Sequence, residues 1–400
     1  MDPVKNPYAP GAGTRPPELA GRDDLRDRAM VSLQRTRLSR PSKSTMLIGL
    51  RGVGKTVLLD RLRDDAEELG IQTVRVEAPE NRSLPALLAP QLRQGLIRLS
   101  RTESAKDLAQ RGLRALAGFA RSLKVTYGDI EVGIDFDPEP GLADNGDLEH
   151  DLQALLEVVG EAAASAGTAL AMFIDELQYV KEDQLAALIT ALHRASQRRL
   201  PITLLGAGLP QLAGQMGKAK SYAERLFEFV PIGPLSEMDA ALALRKPAQE
   251  EGADFTDEAL GHIYSETEGY PYFLQEWGKH SWDVADDSPI TEEDVRVASV
   301  QAVAALDESF FRVRFDRTTP TEKSYLRAMA ELGPGPHRSG SIAQELGREV
   351  QSVAPIRNNL IRKGMVYSPS HGDTAFTVPL FDQFMLRTMP GDDWRDGVNG

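Results

Sequence analysis

The sequence predicts a doubly wound α/β domain, a helical extension and a C-terminal winged helix–turn–helix, on the strength of three stretches. Residues 45–60 read Thr-Met-Leu-Ile-Gly-Leu-Arg-Gly-Val-Gly-Lys-Thr-Val-Leu-Leu-Asp: a short apolar strand, a glycine-rich loop, then helical spacing of Val57, Leu58 and Leu62. Residues 168–178 form an apolar run of strand length that ends in two acids, Asp175 and Glu176. From Ser236 the pattern is helical, and after Phe315 it gives way to the order helix, helix, helix, strand, turn, strand.

The strands follow in order. Met46 to Ile48 opens the sheet, Gln72 to Glu77 follows the first helix, and the run from Thr168 supplies a buried strand. Ile202 to Leu205 comes after a helix over Glu182 to Arg199, and Phe227 to Val230 is the last. Each strand is separated from the next by a helical pattern, as repeated βα units and a parallel sheet require.

The loop of residues 49–57 has the makings of a phosphate cradle. Gly49, Gly52 and Gly54 let N–H groups turn inward around an anion, with Val53 and Val57 completing the turn, and the helix N-terminus adds its positive dipole end. Lys55 reaches the β and γ phosphates, and Thr56 offers a hydroxyl to Mg²⁺. The same spacing also fits a plain strand-to-helix turn, but the strand before it and the helix behind it are the setting that phosphate binding needs. Asp175 and Glu176 end a parallel strand at the edge where ligands bind in open α/β sheets. Asp175 is the natural Mg²⁺ partner of Thr56, and Glu176 is placed to polarise an attacking water, so the reading is hydrolysis of a nucleoside triphosphate with Mg²⁺ as the companion ion. An acidic helix start is the structural alternative for that pair.

Composition narrows the rest. The 400 residues suit two or three domains, and the net charge is −13. Cysteine is absent, which removes disulfides and thiolate metal sites and suits a reducing, cytoplasmic setting. No stretch has the pattern of a signal peptide or the length of a membrane span, so no membrane partner is expected. An acidic total disfavours a general nucleic-acid coat, yet says little about one small module.

Lys55 and Asp175 lie 120 positions apart, and an insertion near residues 81–150 fills the interval. Leu92, Leu96, Leu108, Leu113, Leu116 and Phe119 point to helices, and the alternation from Val125 to Phe136 around Gly128-Asp129 points to a hairpin. Acidic residues follow it, which argues against a DNA wedge. In the C-terminal module Val353, Ile356, Leu360 and Ile361 face the core of the third helix, leaving Gln351, Ser352, Arg357, Asn358, Arg362 and Lys363 outward. That set suits a DNA major groove. Eight Lys and Arg against six Asp and Glu between Pro320 and Arg387 make the basic footprint thin, so double-stranded DNA and a protein both stand as partners of this module.

Taken together, these motifs resemble an AAA+ P-loop ATPase of the group that includes the Orc1/Cdc6 initiators and the STAND signalling ATPases, over nearly the whole chain. The resemblance implies that Leu19-Ala-Gly21-Arg22-Asp-Asp-Leu25 lies against adenine, with Asp23 where Glu is usual. It implies that Gly269-Tyr-Pro271 is the GxP element of a helical lid. Arg225, in Tyr222-Ala-Glu-Arg-Leu-Phe227, sits where initiator-like ATPases carry an arginine finger; acting in trans, it implies an ATP-dependent homo-oligomer, and a lone Arg there also fits a surface salt bridge. Two departures imply slow hydrolysis: small residues over Leu205 to Pro210 where sensor 1 is polar, and Tyr272 in roughly the place of the sensor 2 arginine. The expected units are an ATPase core over 1–236, a lid and linker helix over 237–312, a winged helix over 313–390 and a tail over 391–400. The reading is an ATP-driven switch associated with DNA; the alternative is a STAND-like signalling scaffold that oligomerises on ATP and docks a protein.

Overall fold

The computed structural model describes residues 1–11, 18–124, 128 and 136–398. Its central sheet comprises β1 (Ser44–Ile48), β2 (Gln72–Glu77), β3 (Leu170–Asp175), β4 (Ile202–Gly208) and β5 (Phe227–Pro231). The strands are parallel and lie in the order β2-β3-β4-β1-β5, so the α/β class expected from the sequence is the one observed. β3 is buried along its whole length because it is covered on both faces. Ala171 and Phe173 pack under α1 (Asp23–Arg37) and α2 (Lys55–Glu68). Leu170, Met172 and Ile174 face α3 (Leu84–Leu99), α4 (Lys106–Leu123), α5 (Leu148–Ser165) and α6 (Glu182–Gln197). Alternate side chains of one strand thus serve two helical layers.

β4 runs three residues past its expected end. Gly206 and Gly208 lack strand propensity, but a Cβ on Gly206 would come within 2.4 Å of Leu177, and one on Gly208 within 2.7 Å of Leu212. Close packing, which the local sequence does not show, selects the small residues. The expected helices of the insertion are α3 and α4, whereas the hairpin expected over Val125 to Phe136 lies outside the described residues except for Gly128 and Phe136.

Short helices α7 (Leu212–Ala219) and α8 (Ala223–Leu226) return the chain to β5. Then come α9 (Glu237–Glu250), α10 (Asp257–Thr267), α11 (Pro271–Val284) and α12 (Glu292–Leu306). Ser236 and Thr256 cap α9 and α10 with their hydroxyls, and Thr291 opens α12 in a reciprocal capping box with Asp294. α12 passes through a π-helical turn, Asp307–Phe311, directly into α13 (Arg312–Asp316).

The remainder comprises α14 (Pro320–Glu331), β6 (His337–Arg338), α15 (Ser339–Glu345), α16 (Val350–Arg362), β7 (Val366–Tyr367), β8 (Asp373–Phe376) and α17 (Phe381–Thr388). The three short strands pair antiparallel in the order β6-β8-β7. Two residues make too short a pattern to mark β6 in the sequence.

A single apolar cluster joins helices α9 to α12 to this C-terminal module. Its spine is aromatic: Phe311, 1% exposed, stacks on Phe384 at 5.2 Å between centroids and meets Phe310 edge-on at 5.3 Å. Helices α9 to α12 and the module thereby share one apolar core. Truncating a buried Phe to Ala costs about 3–5 kcal/mol. Phe311→Ala is therefore expected to lower the unfolding free energy in urea by that amount; a loss below about 1 kcal/mol would show that the shared core does not hold the two together.

Candidate nucleotide site

The glycine-rich loop is shaped by what surrounds it. Gly49 passes so close to the chain after β5 that a Cβ there would lie 2.2 Å from the Ile232 carbonyl oxygen. Gly52 and Gly54 take left-handed conformations, with φ of 80° and 88°, and Gly54 is the N-cap of α2. Lys55 is buried at 8% exposure, and its Nζ donates to the carbonyls of Gly49 at 2.9 Å and Leu50 at 2.7 Å. Burial lowers its pKa to about 8, against the pull of Glu176 and Asp175, while Arg51 lowers it further.

Opposite the loop, β3 delivers the two acids. Asp175 is 2% exposed and accepts from the Glu176 N–H at 2.8 Å, while Arg75 lies 3.5 Å from its other oxygen. Glu176 adopts φ 54°, ψ 35°, a left-handed conformation that is costly for a side-chain-bearing residue. One of its oxygens lies 3.6 Å from Arg51, and the other accepts from the Gln178 amide. Gln178 in turn accepts from the Leu209 N–H at 3.0 Å, so it ties Glu176 to the end of β4. There a polar side chain from the β3 edge stands beside the small residues of β4.

These elements enclose a cavity of about 610 Å³. Arg22, Gly52, Val53, Gly54, Lys55, Thr56, Val57, Glu176 and Pro271 all line it, so most of the expected site residues converge. Gly49, Gly21 and Asp175 do not line it. Gly49 sets the loop's approach to Ile232, Gly21 forms a tight turn at φ 67° against the Asp239 carboxylate, and Asp175 is buried, with the Glu176 N–H bonded to it. Arg22 donates to Gly233 O at 2.5 Å, and burial lowers its pKa. Leu19, Ala20, Leu235, Ala243 and Leu274 give the far end an apolar wall suited to a base.

Arg225 is placed elsewhere. It is exposed on α8, just before Phe227, which pairs with Ser44 at the start of β1, and the phosphate loop follows the other end of that strand. Its side chain has no ion pair among the described residues.

Sequence reasoning missed Arg51, Gln178 and Arg314. Arg51 is an unspecified position of the loop motif, yet its guanidinium binds Tyr179 Oη at 2.6 Å and its N–H donates to Thr377 O at 2.9 Å. Thr377 belongs to the C-terminal module, and a Cβ on Gly364 of that module would lie 2.8 Å from Tyr179 Oη. The module is thus bonded directly to the phosphate loop.

On α16 the outward set needs correction. Arg357 turns inward to Thr374, Ser368 and the Asp373 carbonyl, bracing the strand hairpin, and Lys363 is taken by Glu322 and the Arg317 carbonyl. Gln351, Ser352, Asn358 and Arg362 remain exposed. Helical periodicity gives a face, not the partners that approach it.

Residues 18–205 match the family model described as the AAA ATPase domain. Over those residues, which hold the glycine-rich loop and the acidic pair, the chain is similar to an AAA ATPase domain. Residues 308–385 match a domain of unknown function (DUF8462), and no curated protein matches the sequence. In fold, the chain is similar to the Walker-type ATPase PABY2304 of Pyrococcus abyssi, with a TM-score of 0.59 at 14% identity over 93% of this chain and 97% of that one. Weaker likenesses, both at a TM-score of 0.47, are to the Aeropyrum pernix Orc1 protein in complex with DNA and to Cdc6p from Pyrobaculum aerophilum. Identities are 15% and 16%, coverage is 94% of both chains for the first and 97% of both for the second.

The buried Lys55 makes a proton-linkage prediction. In the free protein Lys55 loses its proton as pH rises through about 8. A bound polyphosphate favours the charged form, so binding above that pH draws in a proton. Titration calorimetry with ATP at pH 9, in buffers of different ionisation enthalpy, should show proton uptake that is absent at pH 7. Buffer-independent enthalpies at pH 9 would contradict the depressed pKa.

Proposed function

We propose that the protein is an ATP-hydrolysing switch in which the nucleotide state of the AAA ATPase domain sets the position of the C-terminal module. The observation that carries this reading is Arg51: its guanidinium faces Glu176 while its N–H is bonded to Thr377 of the module. Whatever rearranges the loop around a triphosphate acts on that bond. Lys55 is the phosphate-contacting cation, and Glu176 orients the attacking water. The Thr56 hydroxyl and the Asp175 carboxylate are hard oxygen donors that suit Mg²⁺, which would neutralise phosphate charge when bound.

Arg225 cannot serve its own site from the opposite end of the strands, so the proposed finger acts on a neighbouring copy in a homo-oligomer. The segments 1–236, 237–312 and 313–390 are the proposed functional units, with 391–400 as a tail. We read the last unit as a winged helix–turn–helix that meets double-stranded DNA through Gln351, Ser352, Asn358 and Arg362. The internal commitment of Arg357 and Lys363 favours the second reading, a signalling scaffold whose module docks a protein. The cytoplasm is the proposed location.

The test is ATP hydrolysis by the wild type and Glu176→Gln across a protein concentration series, with and without duplex DNA. The proposal expects Mg²⁺-dependent turnover that rises with concentration, falls at least about a hundredfold in the variant, as removal of a catalytic base does, and is stimulated by DNA. Turnover independent of concentration removes the finger, and absent or salt-insensitive DNA binding moves the module to protein docking. No hydrolysis despite tight ATP binding would overturn the enzymatic reading.

A further inference from the structure

The position where the family resemblance expects a lid arginine is occupied by Tyr272, yet the cavity has an arginine on that side. Tyr272 stacks on Phe310 at 4.5 Å between centroids and 26° between planes. Phe310 lies in the π-helical turn that links the lid to the C-terminal module. Over its ring, with Cζ 4.1 Å from the centroid, lies the guanidinium of Arg314, which also donates to the Phe310 carbonyl. Tyr272, Phe310 and Arg314 form one stack, and all three line the nucleotide cavity.

Arg314 has no carboxylate partner within ion-pair distance among the described residues, although it is largely removed from solvent. Burial, with the like charge of Arg51 close by, lowers its pKa to about 10. A largely buried guanidinium beside the like charge of Arg51, with no carboxylate at ion-pair distance among the described residues, is a costly arrangement. An anion in the cavity removes that cost, and the planar fork of Arg suits phosphate oxygens. The groups that act on it electrostatically include Arg51 of the phosphate loop and Glu176 of the acidic pair, so it stands among the residues expected around the phosphates.

We infer that Arg314 binds the terminal phosphate of a nucleoside triphosphate from within the same chain, in place of the absent lid arginine. The inference rests on the proposed nucleotide site. It adds a contact between phosphate and the helix that leads into the C-terminal module. A π-turn supports such a role, because the extra residue rotates the following helical turn and redirects its side chains. Tyr272 and Phe310 are positioning residues that hold the guanidinium by stacking.

The experiment is equilibrium binding of a non-hydrolysable ATP analogue and of ADP to the wild type, Arg314→Gln, Arg314→Lys and Lys55→Ala, with circular dichroism melts as the fold control. Arg314→Gln should weaken the triphosphate at least about tenfold, the range for a lost charge-assisted hydrogen bond, and change ADP affinity less than about threefold. Arg314→Lys should recover part of the loss, since it restores charge without the fork and keeps the fold if the amide variant does not. Triphosphate affinity within twofold of wild type in Arg314→Gln, or equal losses for ADP and ATP, overturns the inference. If the wild type binds neither nucleotide, or Lys55→Ala binds both unchanged, the nucleotide site itself is what fails.

Discussion

Arg51 is the constraint on which the arrangement of this molecule depends. Its backbone belongs to the phosphate loop and is bonded to Thr377, while its side chain is shared between Glu176 and Tyr179. Loop, acidic strand edge and C-terminal module therefore meet at one residue. The shared aromatic core then carries the same constraint into α11, because Phe273, Phe310, Phe311 and Phe384 pack in one chain of ring contacts from that helix to the module. A change at the phosphate site has a packed route to the far end of the chain.

The electrostatics of the cavity complete this picture. Lys55, Arg51, Arg22 and Arg314 converge on it, against Glu176 and the buried Asp175. The pKa of Lys55, Arg22 and Arg314 is lowered chiefly by burial, so the fold holds positive charge where water does not compensate it well. Such a site is organised for an anion before one arrives, and the cost of holding it is recovered on binding. The left-handed backbone of Glu176 belongs to the same design, since a strained conformation persists only where its surroundings fix it.

The surface of α16 shows how tertiary partners redistribute apparent function. Arg357 and Lys363 look like groove-reading residues when the helix is taken alone, but the hairpin of β7 and β8 and the start of α14 claim them. What remains is a short polar strip of Gln351, Ser352, Asn358 and Arg362. With such a small basic surplus, affinity for a phosphate backbone would come from few contacts and be modest.

The sequence by itself determined the parallel sheet, the phosphate loop and the acidic pair. Each depends on local rules: glycine at positive φ, buried runs of strand length, and charge at a strand end. It also located α10 and α12, because the hydroxyl caps Thr256 and Thr291 are written in the chain. Only the tertiary structure decided the extension of β4 through Gly206 and Gly208, the bond from Arg51 to Thr377, the inward turn of Arg357 and the arrival of Arg314 beside Tyr272. Each of these joins residues far apart in the chain through packing or a hydrogen bond. Periodicity and motif spacing report only on neighbours along the sequence, so such contacts leave no local signal.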